Sequence, residues 1–66
     1  MLSQNIKKFR KNHKLSQEEL AQKANITYST LIKIESGANN NPTIDTLRKI
    51  ADVFRVSIDV LIGRKI

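Results

Sequence analysis

Tyr28, Ser29, Ile32, Lys33 and Ser36 recur at a spacing that puts them on one side of a helix, if the segment is helical. Their polar groups are hydroxyls and one ammonium. These are hydrogen-bonding donors and acceptors with a positive charge among them, which is the chemistry of recognition. Bond-making chemistry has no comparable set. The chain has a single histidine, His13, without a metal-type partner near it in sequence, and no cysteine. It has no glycine-rich phosphate loop and no converging carboxylates. The residues read as those of a binding protein and not of an enzyme, with no cofactor, no metal and no small-molecule ligand evident.

A row of this kind needs a helix held firmly by its other side. Residues 16–37 supply one as the second of two short helices joined by a tight turn. Ser16 and Glu19 have the spacing of a capping box, and Leu15 and Leu20 flank them as a hydrophobic staple. Leu20, Ala21 and Ala24 then form one apolar face. The turn is Asn25-Ile26-Thr27. Thr27 can cap the second helix, Ile26 and Leu31 repeat the staple, and Leu31 and Ile34 give a buried edge. Gly37 ends the helix at the position that takes a positive φ. Ala21 is small where the two helices must cross. Around this pair the spacing predicts a first helix over 2–13 with Leu2, Ile6 and Phe9 inward. A polar loop follows at 38–42. Thr43 caps a helix over 44–54 with Leu47, Ile50, Ala51 and Phe54 inward. Ser57 caps a last helix over 58–62, with a third staple from Val56 and Leu61 and a stop at Gly63. The expected fold is all-α: five helices, no strand, no internal repeat, one domain over residues 1–66.

Charge limits the partner. Twelve lysines and arginines face six acids, for a formal +6. Lys7, Lys8, Arg10, Lys11 and Lys14 all precede the first acid. Glu18, Glu19, Asp45 and Asp59 fall in first turns, where they offset the positive end of the helix dipole. The remaining positive surface suits a polyanion, or it is a solvated face that keeps the protein soluble; charge alone leaves both readings open. No apolar run approaches the roughly 18 residues of a membrane span, and no secretory pattern opens the chain. The expected setting is cytoplasmic, at the nucleoid if the polyanion is DNA.

Residues 15–21 (L-S-Q-E-E-L-A), Ile26, Leu31, Ile34 and residues 35–37 (E-S-G) together resemble the helix-turn-helix of the phage Cro and cI-type repressors, the XRE-like group. Residues 46–61 are similar to that family's fourth and fifth helices, so the resemblance spans nearly the whole chain. Asn25 stands where the family often has glycine. The resemblance implies a five-helix lambda-repressor-like fold, a double-stranded DNA operator as partner, and a regulator of transcription, most simply a repressor. It implies that residues at the positions of Tyr28, Ser29 and Lys33 touch bases or adjacent phosphates. It also implies that Gln17 contacts a phosphate, and that Arg10 and Glu35 pair to tie the first helix to the third.

The expected DNA surface is Gln17, Thr27, Tyr28, Ser29, Thr30, Ile32, Lys33, Ser36, Asn39 and Asn40. An isoleucine on the outward side suits a thymine methyl group, or it rests on the helix shoulder. Asn39, Asn40 and Asn41 can meet the sugar-phosphate backbone or remain a solvated loop. Such regulators bind as dimers at half-sites one turn apart. Val60 and Ile62 extend the apolar stripe of the last helix too far round for one core, which marks them as a homodimer surface; alternatively Ile62 and Ile66 cover the core of a monomer. Two rival functions share these features. One is a restriction–modification controller that activates and represses. The other is an antitoxin-like protein-interaction module whose basic face meets an acidic partner.

Overall fold

The computed structural model describes residues 2–63. Five helices follow one another: α1 (Leu2–Asn12), α2 (Gln17–Ala24), α3 (Tyr28–Glu35), α4 (Ile44–Phe54) and α5 (Ile58–Leu61), with no strand among the described residues. Four of the five starts are capped by the hydroxyl residue expected there. Ser16 accepts from the Glu19 N–H at 3.1 Å while Glu19 Oε1 accepts from the Ser16 N–H at 2.9 Å, a complete capping box. Thr27, Thr43 and Ser57 cap α3, α4 and α5 with a hydroxyl that accepts from the N–H three residues on.

The helix ends hold a feature that residue types conceal. Lys14, Asn25 and Arg55 all sit in the left-handed region, at φ 55°, 56° and 56°. In each case the next residue is apolar, and its N–H reaches back five residues: Leu15 to the Arg10 carbonyl, Ile26 to Ala21, Val56 to Ala51, at 3.0–3.1 Å. This is the Schellman closure. The same apolar residue then precedes the cap of the following helix and forms its staple. The chain has no sequence repeat, yet three of its joints are one object: a left-handed residue, an apolar residue, a hydroxyl cap. The staple leucines Leu20, Leu31 and Leu61 are fully buried, each worth about 1.5–3 kcal/mol over an exposed position. Leu15, Ile26 and Val56 pack over them from the core edge.

α3 packs between α1 and α2; α4 lies against α2 and α5, and α5 returns to α1. Ile6, Leu20, Leu31, Ile34, Ile50 and Leu61 form the dry centre, with Ala21, Ala24, Leu47, Ala51 and Phe54 around it. Phe9 stacks on Phe54 at 5.4 Å between ring centroids, and the His13 ring lies 5.0 Å from Phe54. Nδ1 of His13 is 2.9 Å from the Phe9 carbonyl, so this histidine is occupied in closing α1. At the other end Gly63 has φ +79°, and a Cβ there would lie 2.7 Å from Asn5 Nδ2. The Asn5 amide is the end of a side chain and can shift, so it is the positive φ that favours glycine here.

Candidate nucleic-acid interface

α3 presents one side because its other side is fully used. Leu31, Ile34 and Glu35 are buried, while Tyr28, Ser29, Lys33 and Ser36 are exposed, Tyr28 by 47%. Ile32 lies between the two: it is half-buried and is not among the side chains packed on the core. The helix start is rigid. Thr27 Oγ1 accepts from the Thr30 N–H at 3.1 Å and lies 2.7 Å from Thr30 Oγ1. The two threonine hydroxyls thus bond to each other and that of Thr27 also takes the Thr30 N–H, which leaves Tyr28 and Ser29 as the free side chains of the first turn.

Other expected contact residues also carry structural bonds. The Ser36 hydroxyl donates to the Lys33 carbonyl at 3.1 Å and accepts from the Ala38 N–H at 3.3 Å, so it shapes the end of α3. Asn39 donates its N–H to the Lys33 carbonyl at 2.9 Å, and its Oδ1 accepts from the Asn41 N–H at 3.1 Å. Asn39 therefore folds the loop, and Asn40 is its exposed neighbour.

Arg10 and Glu35 meet across α1 and α3. Glu35 is only 2% exposed. Its Oε2 accepts from Arg10 Nε at 2.9 Å and its Oε1 from Arg10 Nη2 at 3.2 Å, a two-pronged pair. Arg10 Nη1 donates to the Leu15 carbonyl at 2.9 Å, which fixes the joint between α1 and α2. Gln17, at the start of α2, joins this network: its Nε2 donates to Glu35 Oε1 at 3.1 Å. Sequence reasoning paired Arg10 with Glu35 and set Gln17 apart. Nothing in the spacing of residues 17 and 35 marks their contact, which the packing of α2 against α3 brings about.

The electrostatics favour an anion at this face. Among the described residues the ion pairs are Arg10–Glu35 and Lys49–Asp45, which leaves Lys33 free at the α3 surface. Glu19, in the first turn of α2, is held below the usual glutamate range, first by the Ser16 backbone N–H and then by the Ser16 hydroxyl. Its Oε1 is engaged by the cap while the residue stays exposed. A shallow hollow lined by Gln4, Lys7, Lys8, Lys11 and Asn12 lies away from α3, on α1. A helix with a capped start and an exposed row of side chains suits insertion into a groove rather than enclosure of a small molecule.

On the assembly side, Val60 is 48% exposed. Ile62 is half-buried and packs against the core cluster, so part of the apolar stripe that marked it as a partner surface is used within the domain. Ile66 falls outside the described residues.

The Helix-turn-helix family model matches residues 6–61. The transcriptional regulator SinR of Bacillus licheniformis is 40% identical over 65 residues, covering 98% of this chain and 59% of SinR. The immunity repressor protein of Bacillus phage phi105 is 36% identical over 64 residues, 97% of this chain and 44% of that protein. The chain therefore spans about half the length of these relatives. The crystal structure of SinR, the master regulator for biofilm formation, in complex with DNA superposes with a TM-score of 0.88 at 41% identity, covering 92% of this chain and 97% of that one. Among the described residues of the present chain, no helix is long and apolar enough to cross a membrane.

Proposed function

Because the chain belongs to the helix-turn-helix family, we propose that it is a sequence-specific DNA-binding regulator of transcription, a repressor that reads a palindromic operator as a dimer. The observation that carries this reading is the exposed row on α3, held by a hydroxyl cap at one end and a fully buried edge along its length. An eight-residue helix is about 12 Å long, comparable with the width of the B-DNA major groove. With α3 in that groove, Tyr28 and Ser29 in its first turn reach base edges, and Lys33 meets a base or the flanking phosphate. Ile32, already half-buried, needs little further desolvation to cover a thymine methyl. Gln17 and the free N–H groups at the start of α2 face a phosphate. Asn40 is the loop residue left to touch the sugar-phosphate backbone. Thr27, Thr30, Ser36 and Asn39 support these contacts by setting backbone geometry.

One such domain reads only a few base pairs. Two copies related by a two-fold axis, meeting through the α5 end around Val60, would place two α3 helices about 34 Å apart on one face of the duplex. The test is selection of bound duplexes from a random-sequence pool, followed by titration of the winner. An inverted repeat is the expected product. Tyr28→Ala, Ser29→Ala and Lys33→Ala should each weaken binding to it, by about 1–3 kcal/mol for a lost base contact, at unchanged thermal stability. Binding of all duplexes alike, with no repeat enriched, would remove the specificity; a protein partner captured more tightly than any duplex would favour the interaction-module alternative.

A further inference from the structure

Glu35 occupies the last position of α3 and faces away from the row offered to DNA. Its ion pair with Arg10 is already closed by two hydrogen bonds, so the third donor, Gln17 Nε2 at 3.1 Å, is an addition to it. That addition has a directional consequence. A carboxamide has a donating end and an accepting end. Only the NH2 end can satisfy an ionised carboxylate. The bond to Glu35 therefore decides which way round the amide sits. One Nε2–H is held by Glu35; the second stays on the same nitrogen for an acceptor outside the protein. Without Glu35 the amide is free to turn its Oε1 outward, and a carbonyl oxygen repels a phosphate oxygen.

The position of the amide is set by the same network. Arg10 Nη1 on the Leu15 carbonyl at 2.9 Å holds the joint from which α2 starts, and Gln17 is the first residue of that helix. α1, α2 and α3 are thus pinned at one point directly behind the amide.

We propose that Glu35 is a positioning residue for DNA binding: it orients the Gln17 carboxamide with a donor toward the phosphate backbone while touching no DNA itself. This rests on the DNA-binding reading above, and in particular on Gln17 as a phosphate contact.

The experiment measures operator affinity by fluorescence anisotropy at one salt concentration, with thermal melts of every variant. The set is the parent, Gln17→Ala, the double variant Arg10→Met with Glu35→Leu, and the triple variant combining them. Gln17→Ala should lose about tenfold, the size expected for one hydrogen bond to a charged group. The double variant replaces the pair with apolar side chains and should lose a similar factor although it folds. The triple variant should bind no more weakly than the double, because both routes remove the same contact. Arg10→Leu with Glu35→Met, a second replacement of the pair that leaves no acceptor for the amide, serves if the first double does not fold; it should lose a similar factor. Parent-like affinity in either folded double overturns the proposal. So do losses that multiply in the triple, since Glu35 would then act independently of Gln17. A Gln17→Ala variant that binds like the parent overturns both the proposal and the phosphate contact beneath it, whereas a loss confined to Gln17→Ala removes only the role of Glu35.

Discussion

The joints after α1 and α4 are held by residues that the backbone does not suit, and glycine there should raise stability. Lys14 and Arg55 sit at φ 55° and 56°, where an L-residue with a Cβ costs roughly 1–2 kcal/mol. Glycine removes that cost and gives back about 0.5–1 kcal/mol of extra entropy lost on folding. The net gain is about 0.5–1 kcal/mol per site. Both side chains are exposed, but the joints adjoin in space, because the His13 ring lies 5.0 Å from Phe54, so each substitution is read singly. Lys14→Gly or Arg55→Gly alone should gain about 0.5–1 kcal/mol, which for a domain of this size raises Tm by roughly 2–8 °C. Asn25→Gly should change little, because asparagine tolerates this region better than lysine or arginine. Thermal unfolding followed by circular dichroism at 222 nm reads the effect. Lys14→Ala is the control: it removes the charge and keeps the strain, so it should bring no gain. The reasoning is refuted if each glycine lowers Tm as glycine does inside a helix, or if Lys14→Ala raises it as much as Lys14→Gly.

Three further outcomes follow from the network, the cap and α5. Arg10→Met should destabilise the fold by about 3–5 kcal/mol by stranding a buried carboxylate, and Glu35→Leu added to it should recover part of the loss; melts that stay flat across this cycle would mean the two side chains are not coupled. Glu19 is a stronger acid in the fold than out of it, so its contribution is complete above the ordinary glutamate range and fades as pH falls through the lowered value. The Tm difference between the parent and Glu19→Gln should therefore shrink on acidification from neutral to about pH 3, and a constant difference would remove the capping box from the pH dependence. Val60→Lys should leave helicity intact, because the side chain is outside the core. It should weaken a full operator more than a half-site, since an isologous contact would bring two lysines together; sedimentation showing an undisturbed dimer would move the interface away from Val60.

Helix starts were legible in the chain because hydroxyl caps and staples have residue types of their own. Ser16, Thr27, Thr43 and Ser57 all cap, and Gly37 and Gly63 take positive φ, as spacing predicts. Helix ends without glycine were not legible. Nothing about lysine or arginine marks a left-handed position, and Lys14 and Arg55 are recognised only through the bonds that Leu15 and Val56 make behind them. Exposure at the candidate surface was partly legible. Tyr28, Ser29 and Lys33 lie outward as helix geometry requires, but a hydroxyl or amide has several possible partners. For Thr27, Thr30, Ser36 and Asn39 the nearest is the protein itself. The bond from Gln17 to Glu35 spans eighteen residues and depends on how closely two helices cross, which no local pattern encodes.

The three joints also say where this chain can change length. In Lys14-Leu15-Ser16, Asn25-Ile26-Thr27 and Arg55-Val56-Ser57 the middle residue closes the helix behind and seals the one ahead. An inserted residue would separate those two tasks and throw the next cap out of phase. The stretch from Gly37 to Thr43 is built otherwise. α3 closes through Ser36 and Gly37, α4 opens at Thr43, and no single residue serves both. Insertions and deletions among related chains should collect there, and a spacer or short reporter peptide grafted there should leave the helices in register. Because Asn40 lies in that same stretch, such length variation would alter the reach of the loop along a duplex while the geometry of α3 stayed as it is.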